Sequence, residues 1–168
     1  APSMTVRTTF IAASAALLLT PALASADSTA TATIEAELTK ATDITNTAGL
    51  NFGTFALNDG QGGQIIVTPD GGTTTTAGAR ALDGQAAALF EVTGPTGQSF
   101  TLRLPEQVQI TGESGGTMQV RSFTTDCTGT QQFGAGPKTC AVGGTLAVAA
   151  NSTAGLYRGN FDVSVVYE

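Results

Sequence analysis

The sequence contains no histidine, no tryptophan, two cysteines, and 7 lysines and arginines in 168 residues. Each shortage closes a class of function. Without histidine no Ser-His-Asp triad can form, because the base that takes the serine proton is missing. Two cysteines are too few to hold structural zinc, and its other common ligand is absent. So few bases set against 13 acids leave little to neutralise phosphates, which excludes nucleic acid as a partner. No apolar run reaches the roughly 20 residues that span a bilayer, and no segment sustains a helical period.

What is present begins with an export signal. Met4 to Arg7 is a short basic start and residues 10–19 are an apolar run; Pro21 then breaks the helix, and Ala24-Ser25-Ala26 offers small residues for signal peptidase. Cleavage is expected between Ala26 and Asp27, leaving no membrane span; residues 1–3, ahead of Met4, read as a scar or misplaced start. Losing Arg7 leaves 13 acids against 6 bases (7 − 1), a net charge of about −7. The remaining chain is one domain's worth, able to bury about two-thirds of its unfolded surface. Residues 27–40 are expected to form an N-terminal extension and 41–168 a single β-domain.

Export also bears on Cys127 and Cys140. In an oxidising compartment a pair this close is expected to form a disulfide, the alternative being free or intermolecular thiols. Closing so short a loop stabilises by about 3 kcal/mol in the chain-entropy model.

Abundant glycine and threonine suit strands joined by tight turns. In residues 30–38, Ala30, Ala32, Ile34, Ala36 and Leu38 alternate with Thr31, Thr33, Glu35 and Glu37, the period of a strand. Further strands are expected at 43–47, 50–55, 64–68, 73–76, 87–93, 99–104, 108–111 and 118–123. Gly53 interrupts the second of these and predicts a bulge or a close backbone approach. Asn58-Asp59-Gly60, Asp70-Gly71, Asp83-Gly84 and Gly94-Pro95 read as turns. The closing segment 157–167 is expected to be one long strand, with Tyr157, Gly159, Phe161, Val163, Val165 and Tyr167 facing the core. Short strands at this spacing predict an all-β, immunoglobulin-like antiparallel β-sandwich.

Sites for chemistry are few. Gly112-Glu113-Ser114-Gly115-Gly116 matches a nucleophile-elbow string, but no histidine can serve it, and the only lysines, Lys40 and Lys138, lie in turn-like contexts. Ser114 is expected in a glycine-rich hairpin loop. The acids are scattered singly rather than paired as in a glycosidase, and Asp59 and Asp70 lack the spacing of a calcium loop. No catalytic residue, cofactor or metal is expected, and the protein is read as not an enzyme.

Three segments carry a resemblance: the alternating leader 29–38; Leu50-Asn51-Phe52-Gly53-Thr54-Phe55; and residues 154–167, which follow a G-x-Y-x-G-x-[FY]-x-V-x-V-x-Y pattern. Together they resemble spore coat protein U-type domains, archaic chaperone-usher pilus subunits, and an uncharacterised secreted proteobacterial family akin to them. Spore coat U-type domains usually carry a cysteine just before the F-G block, whereas here both cysteines lie far downstream. The resemblance implies a sandwich lacking one strand, filled by the leader of the next subunit in donor-strand exchange. Ala30, Ala32, Ile34, Ala36 and Leu38 would be the donor residues, and Tyr157, Phe161, Val163 and Val165 the acceptor groove. It further implies a fibre or pilus on a bacterial surface, serving adhesion or biofilm formation and built from identical or related subunits. A periplasmic chaperone and an outer-membrane usher would assist export through the periplasm. The alternative is a monomeric secreted or surface binding module whose leader is its own first strand.

Overall fold

A computed structural model describes residues 42–168, together with Thr33 and Ala36. The chain divides between Ala36 and Glu37, and the fold is that of the second unit. Among the described residues there are thirteen strands and no helix. The first six are β1 Asp43–Ala48, β2 Asn51–Leu57, β3 Gly63–Val67, β4 Thr73–Ala77, β5 Ala79–Ala86 and β6 Ala88–Thr93. There follow β7 Ser99–Arg103, β8 Gln107–Gly112, β9 Thr117–Thr125, β10 Gln131–Gln132, β11 Lys138–Val148, β12 Tyr157–Arg158 and β13 Ser164–Tyr167. Every pairing is antiparallel. The expected all-β antiparallel sandwich is what the chain forms.

The spine is β11. One of its edges pairs with β9, while the other takes β6 along Lys138 to Val142 and then β3 along Gly144 to Val148. A strand with neighbours on both edges is well covered, and here Cys140, Val142, Leu146 and Val148 are all at most 3 % exposed. Gly143 marks the changeover, since a Cβ there would be driven into the Val67 carbonyl where β3 ends. The sheet continues outward from β9 through β8 to β12, from β6 to β1, and from β3 to β4.

The second layer comes in two pieces: the ribbon β2-β5, and the sheet β10-β7-β13. Strands that change layer join it to the first sheet. The chain turns from β4 into β5 at Ala77 and Gly78, with Ala77 in the left-handed region at φ 55°. It passes from β7 to β8 through Pro105, which has no N–H to give a ladder.

Three core clusters lie between the layers. Ile65, Met118, Val120 and Leu146 form one with the ribbon's Phe52, Phe55 and Leu57. Ala88, Phe90 and Val142 form another, against Phe123 and Phe161. The third surrounds the disulfide with Val92, Phe100, Leu102 and Phe133, where Phe100 and Phe133 stack at 4.4 Å between centroids.

Three local expectations are corrected. The expected strands left out residues 138–148, which form the spine β11. Asp83-Gly84 is not a chain turn but a bulge inside β5: the register to β2 shifts there, Gly84 takes φ 82°, and Leu82 is pushed out to 51 % exposure. The closing segment is not one ladder. Tyr157 and Arg158 pair with β8, residues 164–167 pair with β7, and the break between them lies beside the Pro105 interruption. Tyr167, expected to face inward, is 47 % exposed.

Candidate functional site

The segment Leu50-Asn51-Phe52-Gly53-Thr54-Phe55 must turn three large side chains to one side, although Phe52 and Phe55 stand an odd number of residues apart. The left-handed backbone of Gly53 resets the alternation, while the extra residue of the ladder lies opposite, at Leu82 of β5. Gly53 takes φ 65°, and a Cβ there would collide with the Asp83 carbonyl and lie 2.7 Å from the Gln85 amide nitrogen. The Asn51 side-chain oxygen accepts from the Gly53 N–H at 2.7 Å, and Gln85 Nε2 donates to the carbonyls of Phe52 and Thr54, each at 3.0 Å. Leu50, Phe52 and Phe55 thereby all pack against the same cluster.

Facing them is the closing segment 155–167. Gly112 leaves room for the Tyr157 ring, since a Cβ there would lie 2.9 Å from it, and the Tyr157 hydroxyl donates to the Thr153 carbonyl at 2.7 Å. Gly159 passes so close to Ile110 that a Cβ would lie 2.7 Å from its methyl. Phe161 rests on Phe123 at 5.1 Å and edge-on to Phe90 at 5.9 Å. Along this run one backbone edge is bonded to β7 and β8; the other pairs with no strand among the described residues.

Between these two walls lies a groove of about 900 Å³. Leu50 to Phe55 line one side and Gly155 to Phe161 the other, with Phe90, Val120, Phe123 and Leu146 among the floor residues. Its apolar lining is only half-buried at Leu50, Phe52, Phe55, Ile110, Phe123, Tyr157 and Phe161. A closed sandwich would bury such residues fully, at about 1.5–3 kcal/mol for each side chain removed from water.

Of the expected acceptor residues, Tyr157 and Phe161 line this groove, while Val163 and Val165 pack beside the disulfide cluster. Of the expected donor residues, Ala30, Ala32, Ile34 and Leu38 lie outside the described residues, and Ala36 is exposed. Sequence reading missed the floor. Phe90 and Phe123 sit in expected strands, but nothing local marks them as lining an open space.

Cys127 and Cys140 form a disulfide, with Cα atoms 5.5 Å apart and both residues at most 4 % exposed. Asp126 lies close enough to both sulfurs to suggest a metal cluster, but bonded sulfurs supply no thiolate ligand, and its carboxylate accepts the Ala141 N–H at 2.8 Å. Ser114 is exposed in the turn closed by Gly112 N–H donating to the Gly116 carbonyl. Asp70 caps the turn between β3 and β4. The Thr68 hydroxyl, and then the Gly72 N–H at 3.2 Å, donate to its carboxylate and hold it below its ordinary pKa.

Neither a curated protein nor a solved structure matches the chain. Residues 42–167 match one family profile, described as Domain of unknown function (DUF4402). That match takes in every strand from β1 to β13, both walls of the groove and the disulfide, and the chain therefore belongs to the DUF4402 family.

Proposed function

We propose that this protein is a structural subunit of an extracellular fibre or pilus, assembled by donor-strand exchange and serving adhesion or biofilm formation. The observation that carries this reading is the interruption of the second layer. β2 is bonded only to β5, the closing segment only to β7 and β8, and the apolar groove runs between them. One further strand laid there would bridge β2 and the closing segment and cover the half-buried aromatic walls, with main-chain bonds giving affinity and alternate side chains entering the groove. The leader 30–38 has the matching pattern, small or aliphatic on one side and Thr or Glu on the other. An open apolar edge of this kind invites aggregation, which supports a chaperone covering it in the periplasm before an usher passes the subunit to the surface.

The test is a denaturing gel of the surface-shed fraction, loaded with and without boiling. Strand-exchanged polymers come apart slowly, so a ladder that collapses to one band on boiling, and that disappears when residues 27–38 are deleted, is expected. A single monomer band in both lanes, from folded mature protein, would overturn the fibre in favour of a monomeric binding module.

A further inference from the structure

Far from the groove, β4 is bonded to β3 along one edge and to no strand among the described residues along the other. Native edges are usually blunted by charge, proline or a bulge. Here the register to β3 is unbroken, and from Gly71 to Ala79 the chain carries neither a charged residue nor a proline. At the two ends of the main sheet, by contrast, β1 carries Asp43 and β12 carries Arg158. Threonine, whose branched side chain favours extended backbone, fills four of the five positions of β4, and all but Thr75 are exposed.

The ladder to β3 fixes which backbone groups are left over. The Thr68 N–H donates to the Gly72 carbonyl at 2.9 Å, and the Gly78 N–H donates to the Gly62 carbonyl at 3.1 Å. Bonding alternates along an antiparallel strand, so Thr74 and Thr76 serve β3 while Thr73 and Thr75 turn N–H and C=O away from it. Side chains alternate as well: Thr75 lies opposite the buried Ile65, and Thr74 and Thr76 lie opposite Ile66 and Gln64 on the outer face.

A second copy of this edge answers these groups. Turned antiparallel with Thr75 on the twofold axis, it opposes all five residues, and the two Thr75 exchange both backbone bonds. Thr74 of each copy then faces Thr76 of the other, and cross-strand threonine pairs are favourable. A pairing shifted by two residues keeps the bonding pattern but opposes fewer residues. Charge at the ends agrees. Asp70 precedes the strand and Arg80 follows it, both exposed. Arg80 makes no ion pair among the described residues, although Asp59 lies in the turn that bonds to Gly78 through Asn58. Antiparallel pairing sets the Asp70 end of one copy at the Arg80 end of the other, whereas parallel pairing sets like with like. Stable interfaces bury about 1,200–2,000 Å², and a five-residue edge falls well short. The contact is therefore weak between free copies and gains strength only where many are held in a row.

We infer that β4 is a self-pairing edge through which two copies of this chain associate antiparallel about Thr75. The contact needs neither the groove nor the leader. The experiment uses full-length mature protein at high concentration, oxidised in air, boiled and run without reductant, so that only covalent dimers remain. Thr75→Cys places two thiols about 5.5 Å apart at Cα, within disulfide range, and should give a dimer that reductant dissolves; Thr73→Cys, opposite Ala77, should stay single. In the Thr75→Cys chain, Thr74→Lys with Thr76→Lys should cut the dimer at least fivefold at low salt and less at high salt. Thr74→Lys with Thr76→Glu should restore it, because each lysine then faces a glutamate. Sedimentation of the chain without added cysteine gives the same comparison, with a mass that rises with concentration in the parent and not in the double-lysine variant. A folded Thr75→Cys chain that stays single, equal dimer from Thr73→Cys, or indifference to the lysines overturns the pairing. The boiling-sensitive ladder should be the same in every variant, so its presence or absence judges the fibre separately.

Discussion

Gln85 reaches across the ribbon and donates its side-chain amide to the Phe52 carbonyl at 3.0 Å, and the same nitrogen also serves Thr54. The left-handed turn of the backbone at Gly53 is thus held by a side chain on the neighbouring strand. Replacing Gln85 by Ala should cost about 1–2 kcal/mol, since two carbonyls lose a donor. Gly53→Ala should cost more, because it adds left-handed strain to a collision with the Asp83 backbone. Urea unfolding reads both as a lower midpoint at unchanged slope; a Gly53→Ala variant as stable as the parent would count against the close approach of Gly53 to the Asp83 backbone.

The disulfide closes a short loop inside a packed cluster. Replacing Cys127 and Cys140 together by Ala is expected to remove about 3 kcal/mol of stability. Both sulfurs are nearly inaccessible, so mild reductant should leave the folded protein oxidised, and thiol release should follow unfolding when the two are monitored side by side.

Gly159 runs against Ile110 with no room for a side chain. Gly159→Val should lift the closing segment from β8 and cost about 1–3 kcal/mol. It should also abolish the boiling-sensitive ladder, because the incoming strand loses the edge it pairs with. A stable variant that still polymerises would place the acceptor edge elsewhere.

Phe161 gives a comparison between states. In the open subunit its ring is half-buried, so Phe161→Ala should cost less than the roughly 3–5 kcal/mol of a fully buried phenylalanine. Under the proposed strand exchange, a strand covering the groove would enclose the same ring. The temperature at which the ladder dissociates should therefore fall by more than the melting temperature of the monomer; equal shifts would argue that nothing covers Phe161.

Asp70 sets a pH dependence at the turn joining β3 and β4. Its carboxyl is held below its ordinary value of 3.8 by the Thr68 hydroxyl and then the Gly72 N–H. The contribution of this cap is therefore present in full above that ordinary value and is lost as pH falls through the lower folded value. Amide protection at Gly71 and Gly72 should drop over that acid range in the parent chain, and Asp70→Asn should flatten the drop.

The parts of this fold most visible in the sequence are the half-wet strands. β6, β7 and the first half of β9 alternate cleanly because one face meets the core and the other meets water, and the residue pattern follows. The spine is invisible for the opposite reason. β11 alternates Cys140, Val142, Leu146 and Val148 with the small Thr139, Ala141, Thr145 and Ala147, so no charged face marks it as a half-wet strand, and Gly143-Gly144 in its middle resembles a turn when its purpose is to let another backbone approach. Asp83-Gly84 misleads in the same way, since a glycine at positive φ serves a bulge as readily as a turn. The site was half legible. The close backbone approach at Gly53 and the alternation of residues 157–165 can be read directly, but the groove floor is assembled from β6, β8, β9 and β11, and no local pattern joins residues so far apart in the chain.

The position of the spine also bears on when the protein folds. β11 comes near the end of the chain, and its partners β6 and β3 lie about fifty and eighty residues upstream. Loop-closure entropy must be met before such distant pairings give anything back, so domains built this way fold slowly. Until residues 138–148 have emerged, the early strands have no central neighbour to assemble upon. Under the proposed export, in which the chain threads a secretion channel unfolded, this strand order would keep it from collapsing too soon.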